Sequence, residues 1–307
     1  MRSDSPRVTI GLPVFNAEKY LIQALDSILA QTYSDFTLII SDNASTDRTP
    51  QICEAYSAKD SRIRFYRNNK NMGAAPNFNR VFMLSSSEYF KWAPYDDVLA
   101  PDFLLKCVEV LDQNPEVSLC YSQVKVIDEC GQVRYDYDPL PKTNSSKTHK
   151  RFRNLILSPH LAVQQMGLIR AEILRQTALE GSFPSSDEVL LAEIALRGVY
   201  YEIPERLYYY RLHEEQSTRG ALTVQRSRTT WFDTSLAEKI VLPKWMYLFA
   251  CLRAINRSPL PWYNRICCYA YMIRWVLIPP HFRALGKDAL IAASKFIIRA
   301  LQKPKDR

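Results

Sequence analysis

The chain has 307 residues, of which 47% are hydrophobic and 23% charged, and it carries a net charge of +8. These values are typical of a globular protein that forms one large domain with an appendage, or two domains. Only 8 glycines occur, without a GxGxxG or GxxxxGK[ST] pattern, which argues against a glycine-built nucleotide cradle. Seven cysteines without CxxC or zinc spacing predict buried, reduced thiols in the cytoplasm, and the polar segment 1–6 predicts no signal peptide.

Strand and helix patterns alternate through the first 122 residues. Five apolar runs bounded by turn-forming residues predict buried strands at 8–14, 36–41, 63–66, 89–92 and 117–122. Helical patterns follow the first four strands, one with Asn16 as its N-cap and another that opens at Thr49 and Pro50. The alternation predicts an α/β fold whose mostly parallel sheet is flanked by helices in right-handed crossovers.

Polar side chains follow the predicted strands where each strand ends. They are Asn16, Asp42, Asp47, Asn71, Asp96 and Asp97. Because the carboxyl ends of parallel strands share one rim, these residues predict a site for a polar ligand. A divalent cation, Mg²⁺ or Mn²⁺, would relieve the repulsion between Asp96 and Asp97 while it binds a substrate diphosphate. The alternative is that Asp97 or Asp102 merely begins the helix predicted from Pro101.

The sequence from residue 135 to 213 predicts a loop, a helix and two strands. Residues 135–151 are polar and rich in turn formers, which is typical of a mobile connecting loop. A capped helix is predicted from 185 to 198, with Asp187 in its first turn and pointing away from the core. Two further strands, at 200–203 and 207–211, would deliver His213 onto a loop.

Together these motifs resemble the family-2 glycosyltransferases, whose catalytic domain has the GT-A fold, a Rossmann-like fold of nucleotide-diphospho-sugar transferases. Within that family the chain is similar to bacterial enzymes that build surface polysaccharides. The resemblance covers roughly residues 7 to 218, and we predict a catalytic domain at 1–220 with a basic, helical region at 221–307. The motifs are TIGLPVFN at 9–16, SDNASTD at 41–47, NMG at 71–73, WAPYDDVLAP at 92–101, and Ser186-Asp187 with Leu190-Leu191.

The resemblance implies a nucleotide site formed by residues that follow the strands. Its members would be Pro13, Phe15, Asn16, Asp42, Asp47, Asn71, Gly73 and Asp96. Asp42 would hydrogen-bond the base, and Asn71 with Gly73 would approach the nucleotide or its ribose. Asp47 resembles the second acid of its loop but could equally cap the helix that contains Pro50.

The resemblance also implies how the reaction proceeds. Asp96 would bind the metal that bridges the diphosphate, with Asp97 beside it, and Asp187 would act as general base on the acceptor hydroxyl, giving inversion. Asp187 could instead be an N-cap. His213 could complete the metal shell or reach the diphosphate, and a structural histidine is the alternative. The acidic residue usual two positions before the metal ligand is Pro94 here, so a sugar or ribose contact is missing or replaced.

Three other side chains have two interpretations each. Arg211 could contact a phosphate, or form an ion pair with Glu205 or Glu214. Trp92 is expected in the core, whereas Tyr95, in the loop, is the better candidate for stacking on a sugar.

The resemblance implies a nucleotide-sugar donor, a UDP-sugar being expected, and a saccharide or lipid-linked acceptor in surface polysaccharide or glycolipid synthesis. Two rivals stay open. A nucleotidyltransferase would be expected to have a basic, Gly-rich loop near the N-terminus, and residues 9–16 do not form one. An inactive sugar- or membrane-binding relative is the other rival, motivated by Pro94.

The tail carries most of the positive charge. Residues 244–307 have a net charge of +10, which leaves −2 for the rest and predicts an anionic partner. The apolar run 266–280 is too short to span a membrane. Residues 282–301 predict a basic amphipathic helix that either lies on an anionic membrane or packs on the catalytic domain. The expected location is therefore the cytoplasm, including the inner face of the cell membrane.

Two faces are predicted for that amphipathic helix. The predicted apolar face comprises Phe282, Leu285, Ala289, Ala292, Phe296 and Ala300. Arg283, Lys287, Lys295 and Arg299 recur on another face. Trp245, Trp262 and Trp275 are candidate anchors at a membrane interface. No nucleic-acid partner is expected, because no recognised binding module accompanies the charge.

Overall fold

The structure is a computed structural model that describes residues 6–138, 140–214, 216, 231–237 and 239–301, with side chains as far as Ser294. Within these residues one sheet contains nine strands: β1 Val8–Val14, β2 Phe36–Asp42, β3 Ile63–Arg67, β4 Tyr89–Trp92, β5 Val98–Leu99, β6 Val117–Ile127, β7 Val133–Tyr137, β8 Leu168–Arg170 and β9 Val199–Arg211. The helices with described bounds are α1 Leu21–Leu29, α2 Thr49–Ser57, α3 Ala74–Met83, α4 Phe103–Gln113, α5 Thr148–Leu157, α6 Ala171–Arg175, α7 Ser186–Ala195, α8 Pro243–Arg257, α9 Trp262–Leu277 and α10 Pro279–Leu301.

The sheet is mixed, in the order β3-β2-β1-β4-β8-β6-β9-β5, with β7 paired to β6. Strands β3, β2, β1 and β4 run parallel, as do β6 and β9. Strand β8 lies antiparallel between β4 and β6, and β5 and β7 are also antiparallel to their neighbours. The predicted α/β fold is confirmed. Its longest run of parallel strands is the half of the sheet that β1 to β4 form.

Every residue of β1 and β2 is buried, because the sheet is covered on both faces and each strand therefore consists of one apolar run. Helix α2 begins at Thr49 with Pro50 in its first turn, as predicted. The predicted N-cap at Asn16 is wrong, since α1 begins only at Leu21. The sequence shows one strand pattern at 200–203 and another at 207–211, but they form the single strand β9, whose pairing with β6 shifts register partway along.

The segment 135–151 is a loop only in its middle. It begins with the end of β7 and finishes in the start of α5, and the described residues between them form neither helix nor strand. Strand β7 alternates Val133, Tyr135 and Tyr137 with polar residues, but this pattern is short and is followed directly by turn-forming residues. The strand is largely exposed at the margin of the sheet, where its main chain pairs with β6.

Helices α8, α9 and α10 pack against α7 and the sheet. Tyr247, Cys251 and Trp275 are buried in one cluster with residues of α7 such as Leu190 and Leu191. Trp275 stacks on Tyr247 at 4.9 Å between ring centroids, so the prediction that it anchors at a membrane is wrong. Among the described residues, no helix is both long enough and apolar enough to cross a bilayer.

The predicted apolar face of α10 is divided in the structure. Leu285 is buried, whereas Phe282 and Ala289 are exposed, and the side chains of Lys295, Phe296, Arg299 and Ala300 lie outside the described residues. The buried side also includes Asp288, whose Oδ2 accepts a hydrogen bond from Lys244 N–H at 2.9 Å. This contact satisfies a free donor at the start of α8.

Candidate functional site

The carboxyl ends of β1, β2, β3 and β4 meet at one rim of the sheet, as predicted. Parallel pairing sets Pro13 beside Ser41, Ser41 beside Tyr66, and Gly11 beside Trp92. The loops that follow these strands therefore leave the sheet side by side. Most of the predicted site residues lie on those loops, so the strand register brings them together.

Asn16 connects the first two of these loops. Its backbone N–H donates to Ser45 Oγ at 2.9 Å, and its Oδ1 accepts from Thr46 N–H at 2.9 Å. Asn16 has a φ of 48°, a left-handed conformation that asparagine tolerates better than most residues. Pro13 is buried within β1, while Phe15 exposes its ring next to Asn16. Phe15 therefore offers an apolar surface at the rim on which a planar base can stack.

Asp42 is fully buried at the end of β2. Its Oδ1 accepts hydrogen bonds from the backbone N–H of Ser45 at 3.0 Å and from the Ser45 hydroxyl. Its Oδ2 lies 3.1 Å from Arg67 Nε but has no well-directed hydrogen bond within the described part of the chain. An acceptor without a donor at this rim is compatible with the predicted contact to a nucleotide base.

Asp47 orders the start of a helix. Its Oδ1 accepts from Thr49 N–H at 3.0 Å, and its Oδ2 accepts from Glu18 N–H at 3.1 Å. Both oxygens thus bind backbone donors, one of them in the first turn of α2. Of the two interpretations of Asp47, these contacts favour the capping role.

Asn71 and Gly73 form a turn that is held by Asn43, in the loop after β2. Asn71 Oδ1 accepts from Gly73 N–H at 2.8 Å and from Asn43 Nδ2 at 2.9 Å, and Asn43 Nδ2 also donates to the Gly73 carbonyl at 3.0 Å. Gly73 has a φ of 93°, and a Cβ there would lie 2.6 Å from the Phe232 carbonyl oxygen. Only glycine fits this position, because any side chain would meet the backbone of residues 232 and 233.

Residues 231–237 lie against this turn, although they are far from it in sequence. The Thr234 hydroxyl donates to the Asn71 carbonyl at 3.0 Å, and Thr234 N–H donates to the Met72 carbonyl at 3.3 Å. Asp233 Oδ2 accepts from the Ser182 hydroxyl at 2.8 Å. Residues 231–237 therefore connect the Asn71–Gly73 turn with the segment that precedes α7.

Asp96 and His213 form the charged centre of the rim. His213 Nε2 lies 2.9 Å from Asp96 Oδ2. The imidazole is buried against the Tyr20 ring, with 4.9 Å between centroids, and its Nδ1 has no hydrogen-bond partner in the described residues. The strand β9 thus delivers His213 to the Asp96 loop, as the sequence predicted.

The Asp96–His213 pair combines two kinds of ligand that divalent cations accept. Its 2.9 Å separation is that of a hydrogen bond between His213 Nε2 and Asp96 Oδ2, and it is also close to the roughly 3.0 Å between neighbouring ligands of an octahedral ion. In the described residues, no group of three or more His, Cys, Asp and Glu side chains is placed to hold a metal. A cation here would therefore take two protein ligands and complete its shell with phosphate oxygens and water, as Mg²⁺ and Mn²⁺ commonly do.

Asp97 points away from that pair and into the protein. Its Oδ2 accepts from the Tyr208 hydroxyl, and its Oδ1 accepts from Arg211 N–H at 2.8 Å. Burial raises the pKa of Asp97 to about 8, and burial lowers the pKa of the neighbouring Lys91 to about 7. With both oxygens bound to β9, Asp97 serves to hold the loop in place, and we do not retain it among the metal ligands.

Arg211 is completely buried and fastens three segments of the site. Its Nε donates to the Asp96 carbonyl at 2.7 Å, its Nη1 donates to the Asp128 carbonyl at 2.9 Å, and its Nη2 donates to Gln23 Oε1 at 2.7 Å. The guanidinium also lies over the Tyr20 ring, 4.8 Å from its centroid. Neither predicted role applies, since the guanidinium binds these carbonyl groups and not Glu205 or Glu214, and it is not exposed to a phosphate.

We expect Arg211→Met to lower the free energy of unfolding by about 3 kcal/mol, because several buried acceptors would lose their donor. Chemical denaturation followed by circular dichroism measures this change. Arg206→Met, on the same strand, is the matched control: Arg206 pairs with Asp136 and Asp138 at the surface, and such pairs contribute about 1 kcal/mol or less. If the two variants lost the same free energy of unfolding, the conclusion that Arg211 holds the three segments together would be wrong.

Asp187 lies in the first turn of α7 and is only partly buried. Its Oδ1 accepts from the backbone N–H of Glu188 at 2.9 Å. Burial raises the pKa of Asp187, although this N–H opposes the shift. Glu180 lies nearby, and burial followed by the charge of Asp187 raises its pKa to about 8.

The segment before α7 is bonded to α3 and to residues 231–237. Asn79 of α3 exchanges two hydrogen bonds with the backbone of Glu180, both at 2.9 Å. The Ser186 hydroxyl donates to Glu180 Oε2 at 2.5 Å, directly before Asp187. The contact from Ser182 to Asp233 joins the same segment to residues 231–237, which contact the Asn71–Gly73 turn after β3.

Four residues of the site were not predicted from the sequence: Glu180, Asp233, Lys91 and Tyr208. Lys91 had a usable signal, because a lysine inside a buried strand requires a polar partner. Its Nζ donates to the Met166 carbonyl. Glu180, Asp233 and Tyr208 had no such signal, since their roles depend on contacts across 6 to 111 residues of sequence. Trp92 is buried in the core, as expected.

Comparison with other sequences identifies the family. Residues 9–177, more than half of the chain, match the family described as glycosyl transferase family 2. An uncharacterised glycosyltransferase of Methanocaldococcus jannaschii is 28% identical over 175 residues, which are 56% of this chain and 59% of that protein. One from Haemophilus influenzae is 27% identical over 218 residues, which are 69% of this chain and 68% of that protein. The chain thus spans only part of the length of these relatives.

Two of the similar solved structures illustrate the fold. Staphylococcus aureus TarS 1–349 in complex with UDP superposes with a TM-score of 0.63 at 14% identity, covering 88% of this chain and 72% of that one. The mannosyltransferase PcManGT of Pyrobaculum calidifontis, in complex with GDP-Man and Mn²⁺, gives a TM-score of 0.52 at 15% identity, covering 98% and 89%. The predicted GT-A fold is thereby confirmed. With the fold, the rim of site residues and the family match in agreement, the chain belongs to glycosyltransferase family 2.

Proposed function

We propose that the protein is an inverting, metal-dependent glycosyltransferase that moves a sugar from a UDP-sugar to a hydroxyl group of a saccharide or lipid-linked acceptor. The observation that carries this proposal is the Asp96–His213 pair at the rim of β1–β4, beside loops suited to a nucleotide. Membership of the family supports glycosyl transfer, and the solved complex of TarS with UDP-GlcNAc supports a UDP-linked donor.

The donor nucleotide would bind along the loops of the first three strands. Phe15 would stack on the base, and Asp42 would accept a hydrogen bond from it. The Asn71–Gly73 turn would approach the nucleotide or its ribose. Pro94 provides no hydrogen-bond donor or charged group, so contacts to the ribose or sugar must come from other residues.

Asp96 and His213 would hold the divalent cation. When bound, the cation neutralises the charge of the nucleoside diphosphate that leaves. Asp96 brings the negative charge and His213 brings a neutral nitrogen ligand, a donor set that suits Mn²⁺ as well as Mg²⁺. Asp97, Tyr208 and Arg211 would keep the Asp96 backbone in position, since all three are bonded to that loop or strand.

Asp187 would take the proton of the acceptor hydroxyl as its oxygen attacks the anomeric carbon. A base on α7 and a diphosphate at the rim of β1–β4 would be on opposite sides of the sugar, so a single displacement inverts the anomeric centre. Loss of the proton to a carboxylate also requires that Asp187 is ionised. The pKa of Asp187, which burial raises, makes it a stronger base than an exposed aspartate.

The experiment that tests the proposal is calorimetric titration of UDP and GDP into the protein, with Mn²⁺ and with EDTA. We expect UDP to bind more tightly than GDP, and at least about tenfold more tightly with Mn²⁺ than with EDTA. Equal binding in EDTA would contradict the metal site. Absence of UDP binding under both conditions would contradict the UDP-sugar donor, and GDP binding alone would replace it with a GDP-sugar.

We include a role in surface polysaccharide or glycolipid synthesis in the proposal. A lipid-linked acceptor is compatible with the excess positive charge of residues 244–307. Incubation with membrane extracts and a radiolabelled UDP-sugar tests this part: label in the lipid phase supports a lipid-linked acceptor, and label only in water-soluble saccharide contradicts it.

A further inference from the structure

Helix α9 presents an exposed apolar face. At 100° per residue, five of its positions fall within an arc of about 80°. They are Trp262, Ile266, Ala270, Ile273 and Leu277. The four large side chains are 58–76% exposed, whereas Cys268, Met272 and Trp275 on the other side of the helix are buried. Scattered apolar residues are normal on a surface, but a continuous row of them along four helical turns is not.

Helix α10 also carries exposed apolar residues. Phe282 follows Leu277 after the two prolines at 279 and 280, and Phe282 and Leu290 are both exposed. Gly286 and Ala289, which lie between them on the same side of the helix, are exposed too. We call the exposed apolar residues of α9 and α10 the apolar strip: Trp262, Ile266, Ala270, Ile273, Leu277, Phe282, Ala289 and Leu290.

The surroundings of the apolar strip are basic. Residues 243–294 contain seven Lys and Arg but a single acid, Asp288, which is buried and bonded to Lys244 N–H. Arg253, Arg274, Arg283 and Lys287 are exposed. Their positive charge is therefore not neutralised by an acid of these helices.

We propose that the apolar strip is a binding surface for an anionic lipid bilayer, with α9 lying in the plane of the interface. Apolar side chains beside arginines and lysines suit such a surface, because the apolar groups enter the acyl boundary while the cations meet the headgroups. Trp262, at the first residue of α9, suits the headgroup region. The inference rests on the lipid-facing part of the proposed function but concerns a different surface from the rim.

A second copy of the chain is a poorer occupant. In a symmetric dimer the same patch meets itself, so Arg274 and Arg283 would face other arginines without an acid between them. A bilayer that contains anionic lipid provides the complementary charge instead. The strip therefore fits lipid better than it fits its own copy.

The test is flotation of the full chain with vesicles, without any donor or acceptor. Vesicles of phosphatidylcholine alone are compared with vesicles that also contain phosphatidylglycerol. We expect binding to the anionic vesicles that weakens with salt, and we expect Ile273→Glu with Trp262→Glu to reduce it at least about tenfold. Arg274→Glu with Arg283→Glu is expected to weaken binding to the anionic vesicles selectively.

Met83→Glu is the matched control, because Met83 is an exposed apolar residue at the end of α3. It should leave vesicle binding unchanged, and thermal melting should be the same for all variants. Failure to bind either vesicle, or equal loss with Met83→Glu, would overturn the proposal. A dimer in light scattering that Ile273→Glu dissociates, without vesicle binding, would assign the strip to a second copy. Because no turnover is measured, this result is independent of the UDP titration.

Discussion

Asp187→Asn is expected to reduce kcat for sugar transfer by about 10³-fold, the usual contribution of a positioned general base. The amide keeps the shape of the carboxylate and can still accept from Glu188 N–H, so the fold of α7 should be unaffected. The KM for the donor and the affinity for UDP should stay the same, because Asp187 acts on the acceptor. Initial rates with saturating donor, together with UDP calorimetry, measure both quantities.

Glu188→Gln is the matched control for this substitution. Glu188 occupies the same helical turn, but its carboxylate accepts from the Tyr247 hydroxyl of α8. If Glu188→Gln lowers kcat as much as Asp187→Asn does, the assignment of the base to Asp187 is wrong. If Asp187→Asn retains full activity, the residue is only part of the helix start.

The wild-type rate should also depend on pH in a defined direction. The base must be ionised, and burial raises the pKa of Asp187, so kcat should fall as the pH drops through that raised value. The acid limb should thus lie above the ordinary range of an aspartate. The pH profile of Asp187→Asn should lack this limb. If the limb were instead caused by acid unfolding of the protein, the variant would still show it.

Asp96→Ala is expected to weaken UDP binding in Mn²⁺ by at least about 100-fold, because it removes the only anionic ligand of the proposed metal pair. In EDTA the variant should bind UDP as the wild type does. His213→Ala should cause a smaller loss, since a neutral ligand contributes less to holding a cation beside a diphosphate. Calorimetry with and without Mn²⁺ measures each effect.

Asp102→Ala is the control on the same segment. Asp102 is exposed, and its Oδ1 accepts from the Thr32 hydroxyl at 2.9 Å. Its removal should leave metal-dependent binding unchanged. Equal weakening of UDP binding by Asp96→Ala in Mn²⁺ and in EDTA would mean that Asp96 supports the loop but holds no metal.

The rim of β1–β4 could be predicted because β1, β2 and β4 are buried along their whole length and β3 still carries a short β-prone run. Each strand then appears as a short apolar run, and the polar residue after it marks the edge of the sheet. Asp42, Asn71 and Asp96 were placed on that basis alone. Predicting the rim required no knowledge of contacts between distant residues, since parallel pairing of consecutive strands brings their ends together.

Other parts of the site depend on contacts that local rules do not include. Asn16 has a good N-cap residue type, yet its side chain accepts from Thr46 in the neighbouring loop. Asp96 and Asp97 are equivalent in sequence, and only the donors on β9 turn Asp97 inward while Asp96 stays at the rim. The burial of Asp288 on α10 involves a polar contact, from Lys244 N–H, that hydrophobicity does not indicate.

The contact of residues 231–237 with the Asn71–Gly73 turn affects how parts of such enzymes can be recombined. A chimera that joined residues 1–220 to the C-terminal region of a relative would have to recreate the bonds from Thr234 to that turn. It would also need the ion pair of Arg257 with Glu193 of α7, at 2.8 Å. Exchange of the C-terminal region near residue 220 would therefore disturb the Asn71–Gly73 turn and the packing of α7 unless these contacts were rebuilt.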